Sequence, residues 1–555
     1  MKTTAALVHL AAVALAASGL LAPAAAAAQA TRADAEKDPV LKAMLQEMDR
    51  SMSELQLKGF AKPFFIEYRI EDVDDFQTRA EYGASEGVER ARQRVARVTV
   101  RVGDYKTDSS GARSDGSLEL AGLEDDPIAI RTALWEATDT AYKNALAAYA
   151  QKQAALKEVQ TPPQADDFSR EKAVIALEAP ATLVLDENAW AGRMARASGI
   201  YRTSAAAQSE EAGIQYSNAD FHARATTTYL VSSEGTILRK SAEEFGETFA
   251  VGTQAGDGMH LDRSYASVAP SLAGLDSAET FERHAVEEVA SLAELKKAPL
   301  VEDEYHGPVL LSSDASTDTL RALLSPAVVA TRPALGTEAR TNGAFASSLH
   351  ARVLADFLNV EDDPGLKDYG GTALLGAYRY DDEGVAAQAV PVVSSGRLRN
   401  YLIGRQPVKD FPQSNGHGRA GIATAPRPHI GVLKISAQDG LSDGQLDEKL
   451  LEIAKAAGLA HAYYVQTMAG AGNPRLLYRV QPDGSRQLVR GAELDDIDER
   501  ALRSGIDAAG KDLLAANYFG DIPETVIAPA LLIDDATVRR ANDRNDKLPF
   551  YPPPQ

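Results

Sequence analysis

Residues 414 to 421 read Ser-Asn-Gly-His-Gly-Arg-Ala-Gly, three glycines around one histidine and one arginine. Each glycine costs backbone entropy and packs no side chain, so the stretch reads as a loop, not a helix or a buried strand. Its carboxamide, imidazole and guanidinium have the chemistry to hold a metal ion or to grip a peptide backbone or carboxylate. They can equally tie the loop to neighbouring carbonyls and carboxylates. Asn415, His417 and Arg419 are therefore the substrate-binding candidates, since glycine allows close approach and loops on rigid scaffolds often carry function. The other histidines form thinner constellations. His284 precedes Glu287 and Glu288 without a second histidine at ligand spacing. Glu302, Glu304 and His306 alternate as on one strand face and read as a solvated edge. His350 sits with Val353, Leu354 and Phe357 in a helical pattern and reads as a helix-surface residue. His429 and His461 lack acidic neighbours in sequence.

These residues belong to a chain of 555 residues, 45% hydrophobic, with a formal charge of −21. Such a length supports two domains or more. A surface this acidic repels phosphates and argues against a nucleic-acid partner. There is no cysteine, which removes disulfides, thiolate metal sites and a cysteine nucleophile. Residues 1–30 form a separate object. Lys2 opens them, Ala5 to Leu21 is mostly apolar, and Ala28-Gln29-Ala30 fits a small-x-small cleavage site. They are expected to be a signal peptide, with export to a periplasm or beyond the cell. No later segment offers the roughly twenty uninterrupted apolar residues of a membrane span, so the mature chain is expected to be soluble.

The elements that must position the candidates follow from periodicity and punctuation. Asp34 to Leu57 reads as a helix through Leu41, Met44, Leu45, Met48 and Met52. Phe64 to Ile70 and Arg94 to Val102 read as strands. Asp126-Pro127 opens a helix to about Glu158 with Trp135, Tyr142, Leu146 and Tyr149 as its core stripe. After a polar break at 160–167, strands are expected at Thr226 to Leu230, Thr236 to Arg239 and Glu247 to Thr253. A helix over Ala278 to Lys297 closes the first half, and Ala298-Pro299 marks a boundary. The second half is richer in strands and tight turns: Val390 to Val393, a turn at Ser395-Gly396, Leu398 to Ile403, then Leu476 to Val480 and Gln487 to Val489 about Pro482-Asp483-Gly484. The expected class is α+β. A domain over 31–298 combines long helices with a mixed or antiparallel sheet, and a strand-rich domain spans 299–555.

Several segments, in order, resemble the TldD/PmbA family, the metallopeptidase-related modulators of DNA gyrase. Tyr380-Asp381-Asp382-Glu383-Gly384, then Gln388 and a strand ending at Ser395-Gly396-Arg397-Leu398, is similar to the family's acidic turn, strand, glycine turn and strand. The loop at 414–421 falls where family members carry a glycine-rich loop. Arg101 to Tyr105, Ile130-Arg131, Leu134-Trp135 and Thr138-Asp139, with Ala528 to Ile533 and Leu548 to Pro552, resemble the exported branch.

Active members of that family carry a His-Glu-x-x-x-His helix and a later cysteine, a set suited to zinc with glutamate as general base. The resemblance places this helix after Gly307 to Leu311, with Ser313 for the first histidine, Asp314 for the glutamate and Asp318 for the second histidine. Serine, two aspartates and no thiol make a poor zinc site. Ser312, Ser313 or Asp314 instead caps a helix running through Leu320, Leu323 and Leu324. The resemblance thus implies a PmbA- or TldE-like chain with no metal of its own, zinc residing in a TldD-like partner. Asp314 and Asp318 remain the only catalytic candidates. The leading expectation is the non-catalytic subunit of a metallopeptidase complex acting on flexible peptides. The partner is expected to be a TldD-like subunit or a second copy of the chain, and two alternatives stand beside this reading: an active peptidase using Asp314, Asp318 and His417 with a divalent ion, and a standalone exported peptide-binding protein.

Overall fold

A computed structural model describes residues 30–111, 116–161, 163–204 and 213–542. The expected signal peptide and the proline-bearing tail lie outside the described residues, Ala30 apart. The class is mixed α+β, as expected, with one large sheet in each half of the chain.

The first sheet has seven strands. Pro63–Glu81 and Ala84–Val102 form a long hairpin, flanked by Ser117–Ala121 at one edge. Tyr216–Ser232, Ile237–Gln254 and His260–Ala269 continue it on the other side. All neighbours run antiparallel except Ile175–Leu177, which is parallel to Ile237–Arg239. Alternation divides the strand Pro63–Glu81 between two environments. Ile66, Tyr68 and Ile70 pack with Ala96, Val98 and Val100 under the helices Pro39–Glu54 and Pro127–Glu158. Glu67, Arg69 and Glu71, pointing the other way, are just as buried.

The second sheet has eleven strands around Glu524–Arg540, which is buried along most of its length. Val432–Ala437 runs parallel to it, while Tyr305–Leu311 and Ile506–Tyr518 run antiparallel. Ser395 and Gly396, with φ of 47° and 69°, form the expected hairpin turn. No helix among the described residues is long and apolar enough to cross a membrane.

Four expectations need correction. The helix from Asp34 is two helices, Arg32–Ala35 and Pro39–Glu54, because Pro39 lacks an N–H and Asp38 caps a new start at Val40 and Leu41. Trp135 is 52% exposed, not core. The extended run after Ser395 keeps ladder pairing only at Arg397–Leu398. The segment around His350 is not helical: His350 has φ of 65°, and Val353 and Leu354 are buried from a chain of turns.

Candidate functional site

The strand Tyr305–Leu311 leads straight into the helix Ser313–Leu324. Ser312 is its cap: the hydroxyl accepts the Ala315 N–H at 3.0 Å and donates to the Gln466 carbonyl at 2.6 Å. Ala315, Leu320 and Leu324 anchor the inner face. Asp314, Asp318, Arg321 and Ser325 follow at spacings of four, three and four, so they share the opposite stripe. Tyr518 Oη donates to Asp318 Oδ1 at 2.7 Å, and the Arg321 guanidinium lies 4.2 Å from the Tyr518 ring centre while pairing with Glu524. Burial raises the Asp318 pKa above the usual carboxylate range, opposed by the Tyr518 hydrogen bond and Arg321. Asp314 also titrates high, through the protein packed about it and then the Asp318 charge.

This donor set does not fit zinc. Ser313 and two aspartates supply no nitrogen or sulfur, and one oxygen of Asp318 already accepts a hydrogen bond from Tyr518. Among the described residues no three His, Cys, Asp or Glu side chains stand close enough to share a metal ion.

Beyond Arg321 the stripe borders a recess of about 600 Å³. Ala322, Pro326, Val329 and Pro428 supply apolar wall, with Arg427, His429 and Glu524 at its rim. Glu524 is 4% exposed and serves both Arg321 and His429, the latter at 3.5 Å. Burial lowers the His429 pKa, against the opposing pull of the Ile430 carbonyl and Glu524.

The loop at 414–421 is placed inward. His417 is fully buried, its Nε2 3.1 Å from Asp362 Oδ1 and its Nδ1 3.0 Å from the Asn415 carbonyl. Asp362, buried as well, also accepts the N–H groups of Gly431 and Val432 at 3.1 and 3.2 Å. Asn415 accepts the Ile403 N–H at 2.9 Å and donates to the Tyr401 carbonyl at 2.8 Å. Arg419 stacks 4.1 Å over Tyr378 and pairs with Asp382 at 3.2 Å. Asn415 and His417 thus turn their polar groups to the chain itself, and Arg419 is engaged by Tyr378 and Asp382, which weighs against the expectation that these three side chains face a peptide. Gly418 is needed here: a Cβ would stand 2.2 Å from Glu383 Oε2. His417 is also not brought into any shared metal group with Asp314 and Asp318.

What the loop joins is the charged face of the first sheet. Asp381 accepts the N–H groups of Glu383, Val385 and Gly418, closing the acidic turn onto the loop. Lys240 donates to the Asp381 carbonyl at 3.0 Å and pairs with Asp382. Glu71 accepts the Ala423 N–H at 2.7 Å, and Arg97 donates to the Ala423 carbonyl at 3.0 Å. Arg405 lies over the Phe65 and Phe168 rings and pairs with Glu234 at 2.8 Å. Burial alone would raise the Asp382 pKa, but Lys240, Arg419 and Arg69 outweigh it and hold the carboxyl below its usual range. Burial pushes Glu383 up to about 7 despite Arg405. Sequence reasoning missed Arg69, Glu71, Arg97 and Lys240. The available signal was the period-two placement of charge at Glu67, Arg69 and Glu71, with Arg97 and Arg101 on one face of the neighbouring strand, which reads as solvent-facing unless a second layer covers it.

Comparison with known proteins agrees with this architecture. Residues 304–540 match the PmbA/TldA metallopeptidase C-terminal domain. The fold is similar to a Thermotoga maritima structure described as a modulator of a DNA gyrase, with a TM-score of 0.58 and 15% identity over 89% of this chain and 100% of that one. It is also similar to TldE from Thermococcus kodakarensis, with a TM-score of 0.57 and 11% identity over 90% and 100%. A modulator of DNA gyrase from Bacteroides thetaiotaomicron gives 0.54 and 11% over 90% and 98%. No curated protein matches the chain.

Proposed function

The chain belongs to the PmbA/TldD family, and on that premise we propose that it is an exported, non-catalytic subunit that holds flexible peptides for a metal-bearing partner of the same family. One observation carries the reading. Where active members place two histidines and a glutamate, this chain has a capped helix with Ser313, Asp314 and Asp318, and Asp318 is held by Tyr518. The sequence has no cysteine to complete a zinc site. The remaining family scaffold is retained: the acidic turn at 381–383 and the glycine loop are fastened to each other, which supports a positioning role. Enclosure of His417 weighs against a carboxylate–histidine metal centre shared with Asp314 and Asp318. The composition of residues 1–30 supports export.

The purified chain, given an unfolded peptide with zinc, magnesium or manganese, is expected to release no fragments by mass spectrometry. Cleavage by the chain alone, abolished by Asp318→Asn, would overturn the proposal in favour of an atypical hydrolase.

A further inference from the structure

We propose that the recess beside Arg427 receives the C-terminal carboxylate of a bound peptide, its wall taking the last side chain. This deepens the peptide-holding reading and rests on it. The recess is lined by two guanidiniums, those of Arg321 and Arg427, against the single carboxylate of Glu524. Glu524 is fully engaged, since it serves Arg321 and faces His429 at 3.5 Å. Arg427 is exposed, and no carboxylate among the described residues pairs with it. In a chain of formal charge −21, an open cationic corner is selective for an anion brought to it.

The rest of the lining narrows which anion. A phosphate calls for several converging donors or a run of backbone N–H groups. A terminal residue presents one carboxylate next to one side chain, and here one unpaired guanidinium stands beside Ala322, Pro326, Val329 and Pro428. Thr331 and Asn342 complete the rim. The Ser325 hydroxyl, buried at the edge of the recess, has no hydrogen-bond partner among the described residues. A volume of about 600 Å³ suits a short peptide end. Ser325 and Asp318 share the helix stripe and are about 10 Å apart along the axis. That length equals about three residues of extended chain, so a peptide seated at Arg427 can run along the stripe towards Asp314.

The test is calorimetry on the full chain with N-acetyl-alanyl-leucyl-alanine as free acid and as C-terminal amide. The acid is expected to bind about tenfold or more tighter than the amide. Arg427→Ala should remove that discrimination while leaving the melting temperature unchanged, since Arg427 is exposed and unpaired. Equal binding of acid and amide by the wild type would overturn the proposal. So would a site that inorganic phosphate fills in preference to the acid. A longer flexible peptide, capped at both ends, separates the two readings. If it binds while acid and amide are not distinguished, the carboxylate receptor falls and peptide holding stands. If no peptide binds, to the chain alone or in its complex, both fall.

Discussion

Asp362 determines the state of the 414–421 loop although it lies more than fifty positions upstream of it. Its carboxylate takes His417 and two backbone N–H groups inside a region closed to water. Removing it leaves three buried donors without their acceptor, a loss larger than the value of any one bond. Asp362→Ala is expected to lower the unfolding free energy by about 2–4 kcal/mol, measured by urea titration with circular dichroism. His417→Ala should likewise destabilise the chain. The opposite pattern, unchanged stability with lost peptide affinity, would mark the loop as a substrate contact after all. This is where sequence reading was least informative. Glycine, asparagine, histidine and arginine correctly indicated a loop, but their partners Asp362 and Asp382 are distant in sequence, so burial of the loop left no local trace.

At the scale of elements, periodicity served where one environment ran the length of the element. The helix Ala278–Lys297 appears as expected because Phe281, Ala285, Val289 and Leu292 keep one stripe against the sheet. The Ser312 cap was legible for a similar reason, a polar residue set immediately before an apolar stripe. Long strands were found only in part. Ala84–Val102 is exposed over its first ten residues and buried thereafter, so only the Arg94 to Val102 end shows a pattern. The spacing of Val353, Leu354 and Phe357 imitates a helix face, yet tertiary packing of a turn chain fills the same core.

The strand Ile237–Gln254 also carries a pH dependence. Glu247 on it is fully buried, with Arg193 2.6 Å away, and burial raises its pKa to about 8 despite that arginine. A carboxyl that titrates higher when folded holds its proton more tightly in the native state. Its stabilising contribution is therefore complete below the unfolded value, about 4.3, and is lost as pH rises through about 8. Glu247→Gln should flatten this slope. The wild type is expected to lose stability relative to the variant between acid and mildly alkaline pH, by an amount on the order of a few kcal/mol. Parallel urea midpoints across that range would contradict the assignment.

For the whole molecule, the two halves meet in part through buried charge. Glu67, Arg69, Glu71 and Arg97 line the buried face of the first sheet, and the backbone of Ala423 and Thr424, just past the glycine loop, serves Arg69, Glu71 and Arg97. Family scaffold and fold class were legible from ordered motifs, because glycine turns and an acidic turn leave fixed marks in sequence. The charged joint was not, since its residues pair across hundreds of positions. A chain built this way shares the architecture of the PmbA/TldD structures with Ser313, Asp314 and Asp318, a poor donor set for zinc, on its candidate helix, which makes association with a metal-bearing relative the central claim. The most direct measurement is a native mass spectrum of the protein purified from its own source. The account predicts a complex of this chain with a second, different subunit, and one metal ion assigned to that subunit after dissociation. A lone chain carrying its own tightly bound stoichiometric metal would contradict it.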